Sequence, residues 1–166
     1  MISATFTGMI ITSFDGALAG CVVLTAFMPM LMNTGGNSGS QASVTIIRAL
    51  SLGEIEYRDV LKVVWKELRV SILCGFALSV LNFLKMWLFD ILLLKTDGLT
   101  ITIAGIVTAT LFFTVFIAKL VGCSLPIDAK KLGFDPAVMA SPFITTIVDA
   151  ISLIIYFFIA SRVLGL

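Results

Sequence analysis

One carboxylate in this chain stands where water is scarce. Asp149 lies near the middle of an apolar stretch running from about Ala137 to Ala160. An ionisable group at mid-membrane is costly unless it faces protein, water or a cation, so it marks a functional site by default. Thr145 and Ser152 lie at i−4 and i+3 from it, and Ser141 at i−8, which places a polar stripe on one helix face. The competing reading is an aspartate held structurally by neighbouring hydroxyls. A second cluster runs from Asn33 to Gln41 and consists entirely of Asn, Thr, Gly, Ser and Gln. Non-helical backbone at membrane depth is tolerated only when buried in protein or lining a watery cavity. Asn33, Gly35, Gly36, Asn37 and Gln41 are therefore candidates to line a pore, with Ser141, Thr145 and Ser152 facing them. Helix packing is the alternative, as read for Gly16-x-x-x-Gly20 upstream.

Catalytic chemistry finds few of its parts here. Gly36-Asn37-Ser38-Gly39 fits the pattern of an intramembrane serine protease, but the chain has no histidine to act as base. An intramembrane aspartyl protease needs two facing aspartates, and only Asp149 is placed for that. No Gly-Lys-Ser/Thr follows the glycines, so they form no P-loop. Cys21, Cys74 and Cys123 are widely spaced, with no CxxC pair and no histidine for a zinc or haem site. The chain reads as a non-enzyme.

The elements that must hold these residues follow from composition. Of the 166 residues 59% are hydrophobic and 13% charged, and the mean hydropathy is +1.12. Soluble chains carry about 25% charged residues, so the expected solvent is a lipid bilayer and the expected fold an all-α integral membrane protein. A net charge of +1 argues against nucleic acid. Charged and Gly/Pro punctuation divides the chain into five spans at about 2–14, 16–50, 70–89, 99–118 and 137–160. The first is too short to cross alone. The second should break or kink near Pro29 and at its glycines. Leu61, Val64, Trp65 and Leu68 have helical spacing, which predicts an amphipathic helix leading into the third span.

Orientation follows from the basic residues. Arg48, Arg58, Lys62, Lys66 and Arg69 fall between spans two and three, and Lys119, Lys130 and Lys131 between spans four and five. The opposite side holds Lys95 and Arg162, while Lys85 can snorkel outward. This bias puts both basic loops and the N-terminus in the cytosol and the C-terminus outside. Trp65 and Trp87 near the ends of span three fit an aromatic belt.

The stretch Phe27-Met28-Pro29-Met30-Leu31-Met32-Asn33-Thr34-Gly35-Gly36-Asn37-Ser38-Gly39-Ser40-Gln41, followed by Arg48-Ala49-Leu50-Ser51-Leu52-Gly53-Glu54-Ile55, resembles the signature of the MgtE family of magnesium channels and transporters. Gly133-Phe134-Asp135-Pro136-Ala137 and Thr145-Thr146-Ile147-Val148-Asp149-Ala150 resemble its last helix. The resemblance implies a homodimer of five-helix subunits in the cell (inner) membrane, with the ion path at the dimer axis. It also implies that Asp149 recognises hydrated Mg²⁺, the transported ion, and that Asp135 is an acidic residue at the cytosolic start of the last helix. Typical members carry a large cytosolic N-terminal domain and a CBS pair, to which no segment of this sequence corresponds. Mg²⁺ dehydrates reluctantly and binds through one or two carboxylates and retained waters. Two copies of Asp149 could hold it, with carbonyls near Gly35 and Gly36 and the amides of Asn33 and Asn37 as further acceptors. Rival readings are a coupled exchanger with Asp149 as proton or sodium carrier, and a non-transporting membrane assembly subunit.

Overall fold

A computed structural model describes the backbone of residues 2–139 and 142–165, and every regular element among them is helical. The chain begins with α1 (Ile2–Ser13) and α2 (Asp15–Gly20), passes through a 3-10 segment, Val22–Phe27, and enters α3 (Met28–Ser51). Pro29 sits in the first turn of α3, where its missing N–H costs nothing and its fixed φ favours the helix. The interruption thus falls just before the proline. The expectation that the glycines break this span does not hold, because α3 runs unbroken through Gly35, Gly36 and Gly39. Close tertiary packing at these positions outweighs the low helix propensity of glycine. A consequence is that the carbonyls of Gly35 and Gly36 belong to the helix ladder and are not turned toward an ion.

The expected amphipathic segment and the third span form one helix, α4 (Val60–Lys85), which continues as a π-helical stretch, Met86–Leu93. α5 (Ile101–Lys131) continues well past residue 118, so Lys119, Lys130 and Lys131, expected in a loop, all lie within a helix. After a 3-10 turn at Pro136–Met139 comes α6 (Pro142–Leu164). Among the described residues, three helical stretches are long and apolar enough to cross a membrane: Val60–Leu93, Ile101–Lys131 and Pro142–Leu164.

Local sequence explains the helix ends. Gly53 (φ 69°) and Gly133 (φ 81°) follow α3 and α5 in the left-handed region. The next residue then reaches back, Glu54 N to Ala49 O at 3.0 Å and Phe134 N to Ala129 O at 2.9 Å, closing each helix with a Schellman motif. Thr100 starts α5 by accepting from Ile103 N at 3.3 Å.

α5 is the central helix: α3, α4 and α6 all pack on it, and α6 also packs on α3. The main core joins Leu24, Leu31, Val107, Leu111, Leu153 and Phe157. Small residues set the helix spacing. On α4, the buried Ser71, Gly75 and Ser79 recur every four residues and face α5, where Gly75 meets Phe112 and Ser79 Oγ donates to Thr108 O at 3.2 Å. Gly16, by contrast, has open space where a Cβ would stand, so the upstream Gly-x-x-x-Gly motif gains no close contact there within the subunit.

Tyr156 ties the 3-10 segment to α6. Its fully buried hydroxyl donates to Leu24 O at 2.9 Å. Tyr156→Phe leaves that carbonyl without its partner and is expected to cost about 1–2 kcal/mol, read as a lowered unfolding temperature in detergent.

Candidate functional site

Asp149 occupies the second turn of α6, on the side facing α3. A Cβ built at Gly36 would stand 3.7 Å from Asp149 Oδ1 and 3.0 Å from Thr145 Cγ2, so the glycine admits both side chains close to the α3 backbone. On the adjoining surface Asn37 Nδ2 donates to Asn33 Oδ1 at 3.2 Å, an i, i+4 pair on an exposed helix face. Asn33, Gly36, Asn37, Thr145 and Asp149 line one open groove of about 500 Å³. Its other walls are mainly apolar, from Ile11, Met28, Pro29 and Met32.

The hydroxyls around Asp149 are engaged elsewhere. Thr145 Oγ1 donates to Pro142 O at 3.1 Å and Ser152 Oγ to Val148 O at 2.6 Å. Neither holds the carboxylate in place, and Asp149 has no ion-pair partner among the described residues. A half-buried carboxylate that shares an open, otherwise largely apolar groove with two amides is suited to a cation or its hydration shell.

The other candidates separate. Gly35 is buried in the helix interface, where a Cβ would come within 2.6 Å of Thr114 and 2.8 Å of Val148. Ser152 is buried beside it, and Gln41 is exposed one turn beyond the groove. Gly35 and Gly39 are thus packing residues, while Asn33 and Asn37 carry the polar face. Asp135 is exposed on the turn before α6, and its Oδ1 accepts from Ala137 N at 2.9 Å. Ser141 lies outside the described residues. The groove also includes Thr7 and Thr25, which sequence reasoning missed because they come from separate elements with no shared spacing.

Deeper along α5, Lys119 Nζ lies 3.8 Å from Glu67 Oε2, with both side chains largely buried. Lys119→Met would leave Glu67 as a nearly buried charge and is expected to cost about 3 kcal/mol. Adding Glu67→Leu should restore much of the loss, measured by thermal unfolding of both variants.

Residues 28–159 match the family model described as MgtE, divalent cation transporter. The chain belongs to the MgtE family. It is 34% identical over 166 residues to the magnesium transporter MgtE of Thermus thermophilus, covering 99% of this chain and 34% of that protein. Against the magnesium transporter MgtE of Bacillus subtilis it is 36% identical over 157 residues, covering 93% of this chain and 33% of that protein. The chain therefore spans about a third of the length of these MgtE relatives. Membership and the apolar helices together make it a membrane protein of a cation-transporter family, not of an enzyme family.

Proposed function

We propose that this chain forms a membrane pathway for hydrated Mg²⁺, with Asp149 as its recognition site. The observation that carries the reading is the joining of Asp149, Asn33, Asn37 and Thr145 in one open groove, in a chain whose full-length relatives are named magnesium transporters. The groove opens away from the subunit core. A two-fold axis alongside it brings two carboxylates to one place, matching the charge of a divalent ion. The functional unit is a homodimer with its ion path on that axis, and each subunit crosses the bilayer five times. Its 24-residue α3 is about 36 Å long at 1.5 Å per residue, sufficient to span despite its polar run. Arg48, Lys62 and Lys66 share a cleft at one end of the fold, which supports a cytosolic placement of that end, with the N-terminus inside and the C-terminus outside. Asp135 attracts cations at the cytosolic mouth.

Magnesium entry into dye-loaded proteoliposomes tests the reading. Expected is entry down the Mg²⁺ gradient with proton and sodium gradients collapsed. Entry that requires either gradient would favour the coupled exchanger, and no entry from folded dimers would favour an assembly subunit.

A further inference from the structure

A second cleft lies at the far end of α3, away from the ion groove. It has a volume of about 450 Å³ and is formed where the last turns of α3 meet the first turns of α4, with Arg48, Glu54, Lys62, Lys66 and Glu67 among its walls. Two of these charges are already matched: Lys62 Nζ binds Asp59 Oδ1 at 3.1 Å, and Glu67 pairs with Lys119. Arg48 and Lys66 have no ion-pair partner among the described residues, and Glu54 is the one unmatched acid in the wall. The cleft therefore carries one surplus positive charge. That is the complement of a single phosphodiester. Its floor is apolar, from Ile46, Ile55 and Val63.

The surrounding surface places the cleft at a membrane interface. Leu61 and Trp65 are 82% and 59% exposed on the same turns of α4, and Arg69 sits 5.9 Å from the Trp65 ring centroid. An exposed Trp beside basic residues, at the end of a membrane-crossing helix, is the arrangement found at headgroup level. Basic pockets between helices at that level bind anionic headgroups.

We infer that the α3/α4 cleft binds the headgroup phosphate of an anionic phospholipid. Arg48 and Lys66 take the phosphate oxygens, the guanidinium through paired N–H donors. Ile46, Ile55 and Val63 meet the glycerol and the first acyl carbons. A bound lipid here would join the end of α3, which carries the ion-groove residues, to the first turns of α4.

The test is native mass spectrometry of the full chain released from nanodiscs made of equal parts phosphatidylglycerol and phosphatidylcholine. Expected is preferential retention of phosphatidylglycerol by the wild type. Arg48→Gln/Lys66→Gln should lower that preference by roughly thirtyfold, on the scale of removing two interfacial cations, and Arg48→Lys/Lys66→Arg should retain most of it. Arg162→Gln, in the last turn of α6, should leave it unchanged. Equal retention of both lipids by the wild type would overturn the inference, even if the double glutamine variant fails to fold. So would an undiminished preference in the folded double variant. Displacement of the lipid by excess inorganic phosphate alone would overturn the lipid assignment in favour of a free-anion site.

Discussion

Gly122→Ala is expected to destabilise the helix core by about 3 kcal/mol, near the upper end of overpacking costs. A Cβ at Gly122 would overlap the carbonyl oxygen of Gly39 and stand 2.9 and 3.0 Å from the Gly39 C and Cα. The obstacle is backbone, which cannot rotate away as a side chain can. Pro126, four residues on, lacks the N–H that would serve the Gly122 carbonyl, so α5 is already weakened where it meets α3. Gly105→Ala, on the same helix, meets nothing within 4 Å. It should be neutral or stabilise by about 0.5–1 kcal/mol through helix propensity. Thermal unfolding in detergent separates the two, with Gly122→Ala falling by about 6–12 °C on the scaling for chains of this size. Equal behaviour of the two alanines would mean that α3 and α5 do not touch at Gly122.

The second large effect belongs to Asp149. Replacing it with asparagine keeps the shape of the side chain and removes a charge from each subunit of the proposed dimer. A charge-assisted hydrogen bond to an ion's water shell is about twice as strong as a neutral one, and the loss occurs at both copies. Expected is a reduction of Mg²⁺ uptake by at least about a hundredfold, from about 1.5 kcal/mol or more at each carboxylate. Asn37→Ala removes one neutral amide of an exposed pair from each subunit and, at about 0.5 kcal/mol per copy, should cost only about fivefold. Growth of a magnesium-uptake-deficient bacterial host at low Mg²⁺ ranks the variants. Asp149→Asn should fail to support growth, and Asn37→Ala should support it at modestly raised Mg²⁺.

The helical architecture, the isolation of Asp149 and the polarity of residues 33–41 were legible because each rests on composition or on i, i+4 spacing. What each glycine does was not. Gly35 and Gly36 are adjacent in sequence and differ by one helical step of about 100°, which turns Gly35 into the α5/α6 interface and Gly36 toward Asp149. Sequence periodicity identifies such faces only when the neighbours are known. Lys119 was misplaced in a loop for a related reason. Lys119 reads as a loop residue by charge, yet its partner Glu67 lies on another helix and lets it remain inside. Ser152 shows the same limit: its hydroxyl returns to the Val148 carbonyl, and of the stripe it shares with Thr145 and Asp149 it alone does not reach the groove.

The most direct measurement compares Mg²⁺ entry through wild type and Asp149→Asn in proteoliposomes with a trapped Mg²⁺-sensitive dye, at matched reconstitution and confirmed dimer content. A conducting wild type beside a silent, folded Asn variant is the predicted result. Equal entry through both would contradict Asp149 as the site where the ion is recognised, and with it the assignment of the α3/α6 groove as the ion path.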